Sequence, residues 1–137
     1  MSPYKVRGTW GAAEGLPPLN EPTPAGPVVV VTRARTAAAY HPATWRANPS
    51  IVRALRANQD VLWTAPFADR ALGVIGTLSI WPDDASAVRF AYGKDAHAPV
   101  IGQAKKGSWL PESWFTRASV IDTVGHWPGL PALSTAG

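Results

Sequence analysis

One histidine of this sequence is placed where an imidazole could do chemistry. A helix is predicted to begin after Gly93, with Asp95 as its N-cap, and His97 lies in its first turn. At about 3.6 residues per turn, three apolar residues share the side of His97: Val100, Ile101 and Ala104. An imidazole on an apolar helix face is either a packed structural residue or a ligand for iron. The spacing leaves both readings open.

Other kinds of chemistry lack their usual residues. Cysteine is absent, so the chain has no disulfide, no thiolate nucleophile and no zinc–thiolate site. The sequence contains no Gly-rich phosphate loop, no Gly-x-Ser-x-Gly element and no paired histidines at zinc-helix spacing. Asp83 and Asp84 form a carboxylate pair, but they stand where a helix is predicted to start. Negative charge at that place caps a helix, so we expect capping rather than catalysis.

Size and charge narrow the class of protein. With 137 residues, 46% of them apolar, the chain has the length and composition of one globular domain. Its net charge of +4 is dispersed, without the long basic run of a nucleic-acid-binding arm. No apolar run approaches the roughly 20 residues of a membrane span, and the N-terminus lacks the apolar core of a signal peptide. We therefore expect a cytoplasmic protein that binds no nucleic acid and spans no membrane.

The order of predicted elements indicates a fold. Residues 1–27 are rich in proline and are expected to form an extended arm without a ladder, and 123–137 a C-terminal arm. Between them, 28–122 is predicted to be one domain with strands at 28–33, 61–67, 74–81 and 115–122. Helices are predicted from Asn48–Pro49, as N-cap and first position, and from Pro82-Asp83-Asp84 through Phe90. The order strand, helix, strand, strand, helix, strand is the split βαβ, ferredoxin-like α+β pattern with helices on one sheet face.

The third predicted strand has two different faces. Val74, Gly76, Leu78 and Ile80 share one face, which we expect to pack under the helices. Its other face is mixed and would suit the interior of a ligand-holding barrel; it carries Thr77, Ser79 and Trp81. Because four strands leave one sheet face uncovered, we expect two copies to close face to face as a homodimer, a dimeric α+β barrel.

Several short motifs together resemble one family. They are Arg7-Gly8-Thr9-Trp10-Gly11, Trp45-Arg46-Ala47-Asn48-Pro49, Thr77-Leu78-Ser79-Ile80-Trp81-Pro82-Asp83 and Phe90-Ala91-Tyr92. With His97, Trp109, Glu112 and Phe115 after them, the chain resembles the spheroidene monooxygenase-like proteins, which are similar in fold to dimeric α+β barrel monooxygenases. The resemblance extends from about Arg7 to Leu133.

The resemblance implies a set of site residues. His97 matches the family's helix histidine and would be the proximal ligand of a haem. Tyr92, Trp109, Glu112 and Phe115 match the aromatic and acidic positions around it. With haem between the helices and the sheet, Thr77, Ser79 or Trp81 would face the oxygen side. Catalysis is expected from His97 and Glu112, and cofactor binding from five residues: His97, Tyr92, Trp81, Thr77 and Trp109.

The leading functional hypothesis is a haem-dependent monooxygenase of secondary metabolism. Its substrate would be an apolar small molecule, namely a polyene, a terpenoid or a polyketide. One alternative is a cofactor-independent cyclase, dehydratase or oxygenase of the same fold, with His97 or Glu112 as general base. The other is a non-catalytic dimer that binds a small ligand or haem.

Overall fold

A computed structural model describes residues 2–9, 25–36, 41–69, 73–92 and 112–133. These residues form one antiparallel five-stranded sheet and two helices. In chain order they are β1 (Ser2–Thr9), β2 (Val28–Arg35), α1 (His41–Ala57), β3 (Trp63–Asp69), β4 (Val74–Trp81), α2 (Asp84–Tyr92) and β5 (Glu112–Ser119). Across the sheet the strands lie in the order β1-β5-β2-β4-β3.

The chain from β2 to β5 has the predicted ferredoxin-like topology. Its order β2, α1, β3, β4, α2, β5 is the split βαβ pattern, with β2 and β4 in the middle of the sheet. Both helices contribute to one core on one side of the sheet. Its buried members are Val28, Val30, Leu55, Trp81, Ala87 and Phe90. The α+β class and the placement of both helices on one face are therefore confirmed.

The assignment of the two sheet faces was wrong. The register pairs Val28 with Trp81 and Val30 with Ser79, and these residues lie on the face that carries the helices. The helices thus cover the mixed face of β4, whereas Gly76 and Ile80 lie on the opposite face. The prediction placed the helices over the face of β4 with more aliphatic residues. The buried side chain of Trp81, on the other face, contributes more apolar area than any one of those aliphatic side chains. Trp81 is only 2% exposed.

Residues 2–9 join the sheet, contrary to the expectation of an arm without a ladder. β1 pairs antiparallel with β5 from Ser2–Ser119 to Thr9–Ser113, and the register shifts between Pro3 and Lys5. A proline is tolerated here because β1 is an edge strand and Pro3 stands near its start. The prolines that argued against a ladder all follow Thr9 in the sequence.

Helix α1 starts earlier than predicted. It begins at His41 rather than after Asn48, so Pro49 lies inside the helix. Pro49 has no N–H to donate to the carbonyl of Trp45, which removes one helical hydrogen bond. An Asn-Pro pair is typical of a helix start, and here that local signal was misleading. In the part of the chain that the structure describes, no helix is long and apolar enough to cross a membrane.

The chain after β5 lies partly against β3. Residues 120–133 contain no helix or strand. Their first residue is tied to the sheet, since Val120 N–H donates to the carbonyl of Pro27 at 3.0 Å. Further on, the ring of Trp127 meets Trp63 edge-on, with centroids 5.4 Å apart.

Helix α2 begins at the predicted cap. The Asp83 carboxylate accepts a hydrogen bond from the backbone N–H of Ser86 at 2.7 Å. This bond, followed by one from the Ser86 side chain, lowers the pKa of Asp83 below its usual value. Asp83 therefore caps the helix, as the sequence predicted, and α2 is held in a defined place over the sheet.

Loss of this cap should weaken the fold in a pH-dependent way. Because the pKa of Asp83 is lowered by folding, its stabilisation is complete above the unfolded pKa and declines as the pH falls through the folded one. We expect Asp83→Ala to reduce the free energy of unfolding by about 1 kcal/mol at neutral pH. Urea denaturation measures this free energy. The difference between the wild type and Asp83→Ala should become smaller at acidic pH. Asp122→Ala, outside any helix, is the control; an equal loss there would contradict the capping role.

Candidate functional site

A small cavity lies between the sheet and the two helices. Six lining residues come from the sheet, namely Val30, Thr32, Thr77, Ser79, Trp81 and Phe115. Four come from the helices, namely Leu55, Ala87, Phe90 and Ala91. The centre of a water molecule can reach about 20 Å³ inside it, which is roughly the space of one water. Binding an organic molecule here therefore requires the lining side chains to move apart.

The walls of the cavity are aromatic. Trp81 and Phe90 pack together with ring centroids 5.4 Å apart and planes tilted by 37°. Both are buried, and Phe115 from β5 packs against the same core. Such rings offer large, flat apolar surfaces. The surface that surrounds this small space is therefore mainly aromatic and apolar.

The floor of the cavity carries hydroxyl groups. Thr32 of β2 stands opposite Thr77 of β4 in the register, and Ser79 follows on the same face of β4. The indole N–H of Trp81 donates a hydrogen bond to the Ser79 oxygen at 2.9 Å. Polar groups are thus grouped on one side of an otherwise apolar space, where they can orient a ligand.

A buried ion pair attaches α2 to β5. The Arg117 guanidinium lies 2.6 Å from a carboxylate oxygen of Asp84, and the two side chains are only 10% and 14% exposed. Asp84 is the first residue of α2, the helix that carries Ala87, Phe90 and Ala91. Arg117 is two residues after Phe115 on β5. The pair therefore fixes the helix wall of the cavity relative to its floor.

The structure brings together only some of the predicted site residues. Thr77 and Trp81 both line the cavity. Tyr92 is the last residue of α2 and is 69% exposed, so it is not part of the lining. Glu112 is the first residue of β5, where its backbone pairs with Arg35. His97 and Trp109 lie outside the described residues.

The described lining does not fit a haem. None of its ten residues is a histidine, cysteine, methionine or tyrosine, so none can serve as the usual axial ligand of the iron. The space within it is also far smaller than a porphyrin. Within the described ranges no three metal-binding side chains cluster, and His126 is exposed on the segment after β5.

Several lining residues carried no chemical signal in the sequence. Ala87 and Ala91 are four apart on α2, so they present small side chains on one helix face above the floor. A pair of alanines at that spacing could have marked a place where the helix leaves room beneath it. For the Arg117–Asp84 pair we find no comparable signal, because 33 residues separate its members and only the register of β5 brings them together.

Comparisons with known proteins agree with this fold. No protein-family model matches the chain. Two curated proteins do: the spheroidene monooxygenase of Rhodobacter capsulatus is 31% identical over 98% of this chain, and that of Cereibacter sphaeroides is 26% identical over 94%. The matched region is 57% of the first relative and 40% of the second. The chain thus spans about half the length of the curated relatives it matches.

Solved structures show the same architecture at low sequence identity. A proposed antibiotic biosynthesis monooxygenase of Deinococcus radiodurans superposes with a TM-score of 0.64 at 12% identity, covering 73% of this chain and 98% of that one. An antibiotic biosynthesis monooxygenase gives a TM-score of 0.61 at 11% identity, covering 69% of this chain and 99% of that one. At such identities the match shows the fold alone. The predicted resemblance is confirmed: this chain is a ferredoxin-like α+β protein whose sequence is similar, over nearly its whole length, to spheroidene monooxygenases.

Proposed function

We propose that this protein is a monooxygenase that inserts oxygen into an apolar, conjugated molecule bound between the helices and the sheet. The observation that carries the proposal is the cavity itself, with aromatic walls of Trp81, Phe90 and Phe115 and a hydroxyl floor. The similarity to spheroidene monooxygenases supports both the reaction class and a polyene as substrate. Conjugated terpenoids and aromatic polyketides would present similar flat, apolar surfaces to such walls.

The described residues would act by binding, orienting and excluding water. Trp81 and Phe90 offer their faces to the conjugated part of the ligand. The floor hydroxyls hold a polar atom and so fix which carbon meets oxygen. Because most of the lining side chains are apolar, they would displace water from the reacting centre when the ligand binds. These effects would raise the rate of oxygenation by positioning the substrate, without a covalent bond between the substrate and the protein.

Two balanced forms of the reaction are consistent with this site. With an external two-electron donor, one oxygen atom of O₂ enters a C–H bond and the other leaves as water, with two protons taken up. Without a donor, the substrate itself supplies the electrons, and a CH₂ group and O₂ become a ketone and water. The second form needs no iron ligand, and none of the described lining residues is one. The first form is the haem-dependent one that the resemblance implies through His97.

A single incubation series tests both forms. Wild-type protein and His97→Ala are incubated with spheroidene in air, with and without hemin and with and without dithionite, and the products are analysed by mass spectrometry. The absorption spectrum is recorded during hemin addition. An oxygenated product from the wild type is the expected result, and no product under any condition would contradict the proposal.

The pattern across the series identifies the cofactor. If haem is used, a sharp Soret band should saturate at one haem per chain, and His97→Ala should lose both the band and the product. If no cofactor is used, a ketone should form without hemin or dithionite, and the hemin spectrum should stay broad in both proteins. Glu112→Gln is the companion variant, because Glu112 was predicted as an alternative base.

The same protein is proposed to act as a homodimer. A face-to-face pairing of two sheets is expected from the ferredoxin-like topology, since the helices cover only one face.

A further inference from the structure

Two hydroxyl groups on the cavity floor belong to buried residues, Ser79 and Thr77. Ser79 is 3% exposed and Thr77 is 7% exposed. Both lie on the face of β4 that lines the cavity. A buried hydroxyl normally has a partner, because leaving one unpaired costs free energy. Within the described residues, neither hydroxyl donates a hydrogen bond to another protein group.

Trp81 determines how Ser79 is arranged. Its indole N–H can only donate, and it donates to the Ser79 oxygen at 2.9 Å. That bond occupies an acceptor lone pair of Ser79 and leaves the Ser79 proton for a different partner. An accepted hydrogen bond also polarises the hydroxyl and makes it a better donor. Trp81 itself is held in place by burial and by its packing on Phe90.

The surroundings limit where the Ser79 proton can point. Thr77 is two residues away on the same face, and Val30 stands opposite Ser79 on β2. Above the floor lie the apolar side chains of α1 and α2, which accept no hydrogen bond. Both hydroxyls line the cavity, so a ligand there would meet hydroxyl donors and no charged group from the described lining.

We infer that Ser79, oriented by Trp81 and assisted by Thr77, selects ligands that carry a hydrogen-bond-accepting oxygen on an otherwise flat, apolar frame. This inference rests on the proposed function, because it assigns the substrate class of the same site. A ketone or similar oxygen pairs with the donor, whereas a pure hydrocarbon of the same shape leaves it unpaired. The substrate is therefore a molecule that already contains oxygen, and Ser79 fixes its orientation.

A matched pair of probes tests the inference. Fluorenone and fluorene share one flat tricyclic frame and differ by the carbonyl oxygen. Binding of each to the full chain is measured by equilibrium dialysis with extraction of the free probe. We expect the wild type to bind fluorenone about tenfold tighter than fluorene, the difference that one buried hydrogen bond gives.

Three variants separate recognition from packing. Ser79→Ala should lose the preference for fluorenone and keep the affinity for fluorene, because only the hydroxyl is removed. Trp81→Phe should reduce the preference, because the ring stays but the N–H that orients Ser79 is gone. Ser50→Ala, exposed on α1, should behave as the wild type. General damage to the fold would weaken the binding of both probes equally and leave the ratio of their affinities unchanged.

The outcomes distinguish the inference from the function on which it rests. Equal affinity of the wild type for both probes, or an unchanged ratio in Ser79→Ala, would overturn the inference and leave the proposed oxygenase untouched. Failure of both probes to bind the wild type, while spheroidene is still oxygenated, would also overturn it. Failure to bind either probe together with no oxygenated product would contradict the proposed function as well.

Discussion

Replacement of Arg117 by alanine should destabilise the protein more than any change at a surface charge. Arg117 and Asp84 lie 2.6 Å apart and are almost fully buried. Without the guanidinium, the Asp84 carboxylate loses this partner in a place that water hardly reaches. Removing one member of a buried pair costs about 3–5 kcal/mol. Since small domains are stable by only about 5–15 kcal/mol, the loss should be large in urea denaturation.

A second ion pair provides the matched control. Arg89 and Asp60 lie 3.4 Å apart, but their side chains are 64% and 51% exposed. Arg89→Ala should therefore cost less than about 1 kcal/mol. The double variant Arg117→Met, Asp84→Asn should recover much of the loss, because no buried charge remains without its partner. If Arg117→Ala were no more harmful than Arg89→Ala, the ion pair would not anchor α2.

A larger side chain at Ala91 should block the site. Ala91 lines the cavity from α2 and is itself partly exposed. The space below it holds roughly one water, so a leucine there competes with any ligand. We expect Ala91→Leu to lower oxygenation of spheroidene, and the affinity for fluorenone, by at least about tenfold, which corresponds to 1.4 kcal/mol. The added side chain should cost at most about 1–3 kcal/mol of stability.

Ala85→Leu is the control for this substitution. Ala85 is on the same helix but is exposed and does not line the cavity. The same change of side chain there should leave both activity and affinity unaltered. Equal effects of the two substitutions would mean that α2 tolerates neither, and unaltered activity in Ala91→Leu would place the site elsewhere.

The elements that could be predicted are those with clear ends. β4 was predicted at 74–81 and occupies Val74–Trp81, because Gly73 supplies a turn with a positive φ of 65° and Pro82 ends the strand. Helix α2 was predicted to start at Pro82-Asp83-Asp84, with the two carboxylates as capping groups, and it begins at Asp84. β2 begins at Val28 as expected, directly after Pro27. In each case a residue with a specific backbone preference marks the boundary.

Other boundaries depend on contacts between distant parts of the chain. β5 was predicted at 115–122 and lies at Glu112–Ser119, because its ends are set by pairing with both β1 and β2. The second predicted strand, at 61–67, is β3 at Trp63–Asp69, paired with β4 over its whole length. The ends of these strands depend on which residues of a distant strand they pair with, and the residues at the ends alone do not show this. The unpredicted strand β1 shows the same dependence.

The candidate site was predictable only in part. Thr77 and Trp81 were identified from the alternation of β4, and both line the cavity. Leu55 and Phe90 come from helices whose orientation depends on packing, so their meeting with Trp81 could not be read from spacing. The expectations for His97 and Trp109 concern residues outside the described ranges and stay predictions. Haem ligation is therefore a question for spectroscopy.

The central claim is that molecular oxygen is the source of the atom inserted. Wild-type protein should be incubated with spheroidene under ¹⁸O₂ in ordinary water, quenched with borohydride so that no ketone oxygen exchanges, and analysed by mass spectrometry. The account predicts a product carrying one heavy oxygen atom, made by Ala85→Leu and strongly reduced in Ala91→Leu. A product whose oxygen comes from water, or an isomer with no added oxygen, would instead identify a hydratase or cyclase and contradict the account.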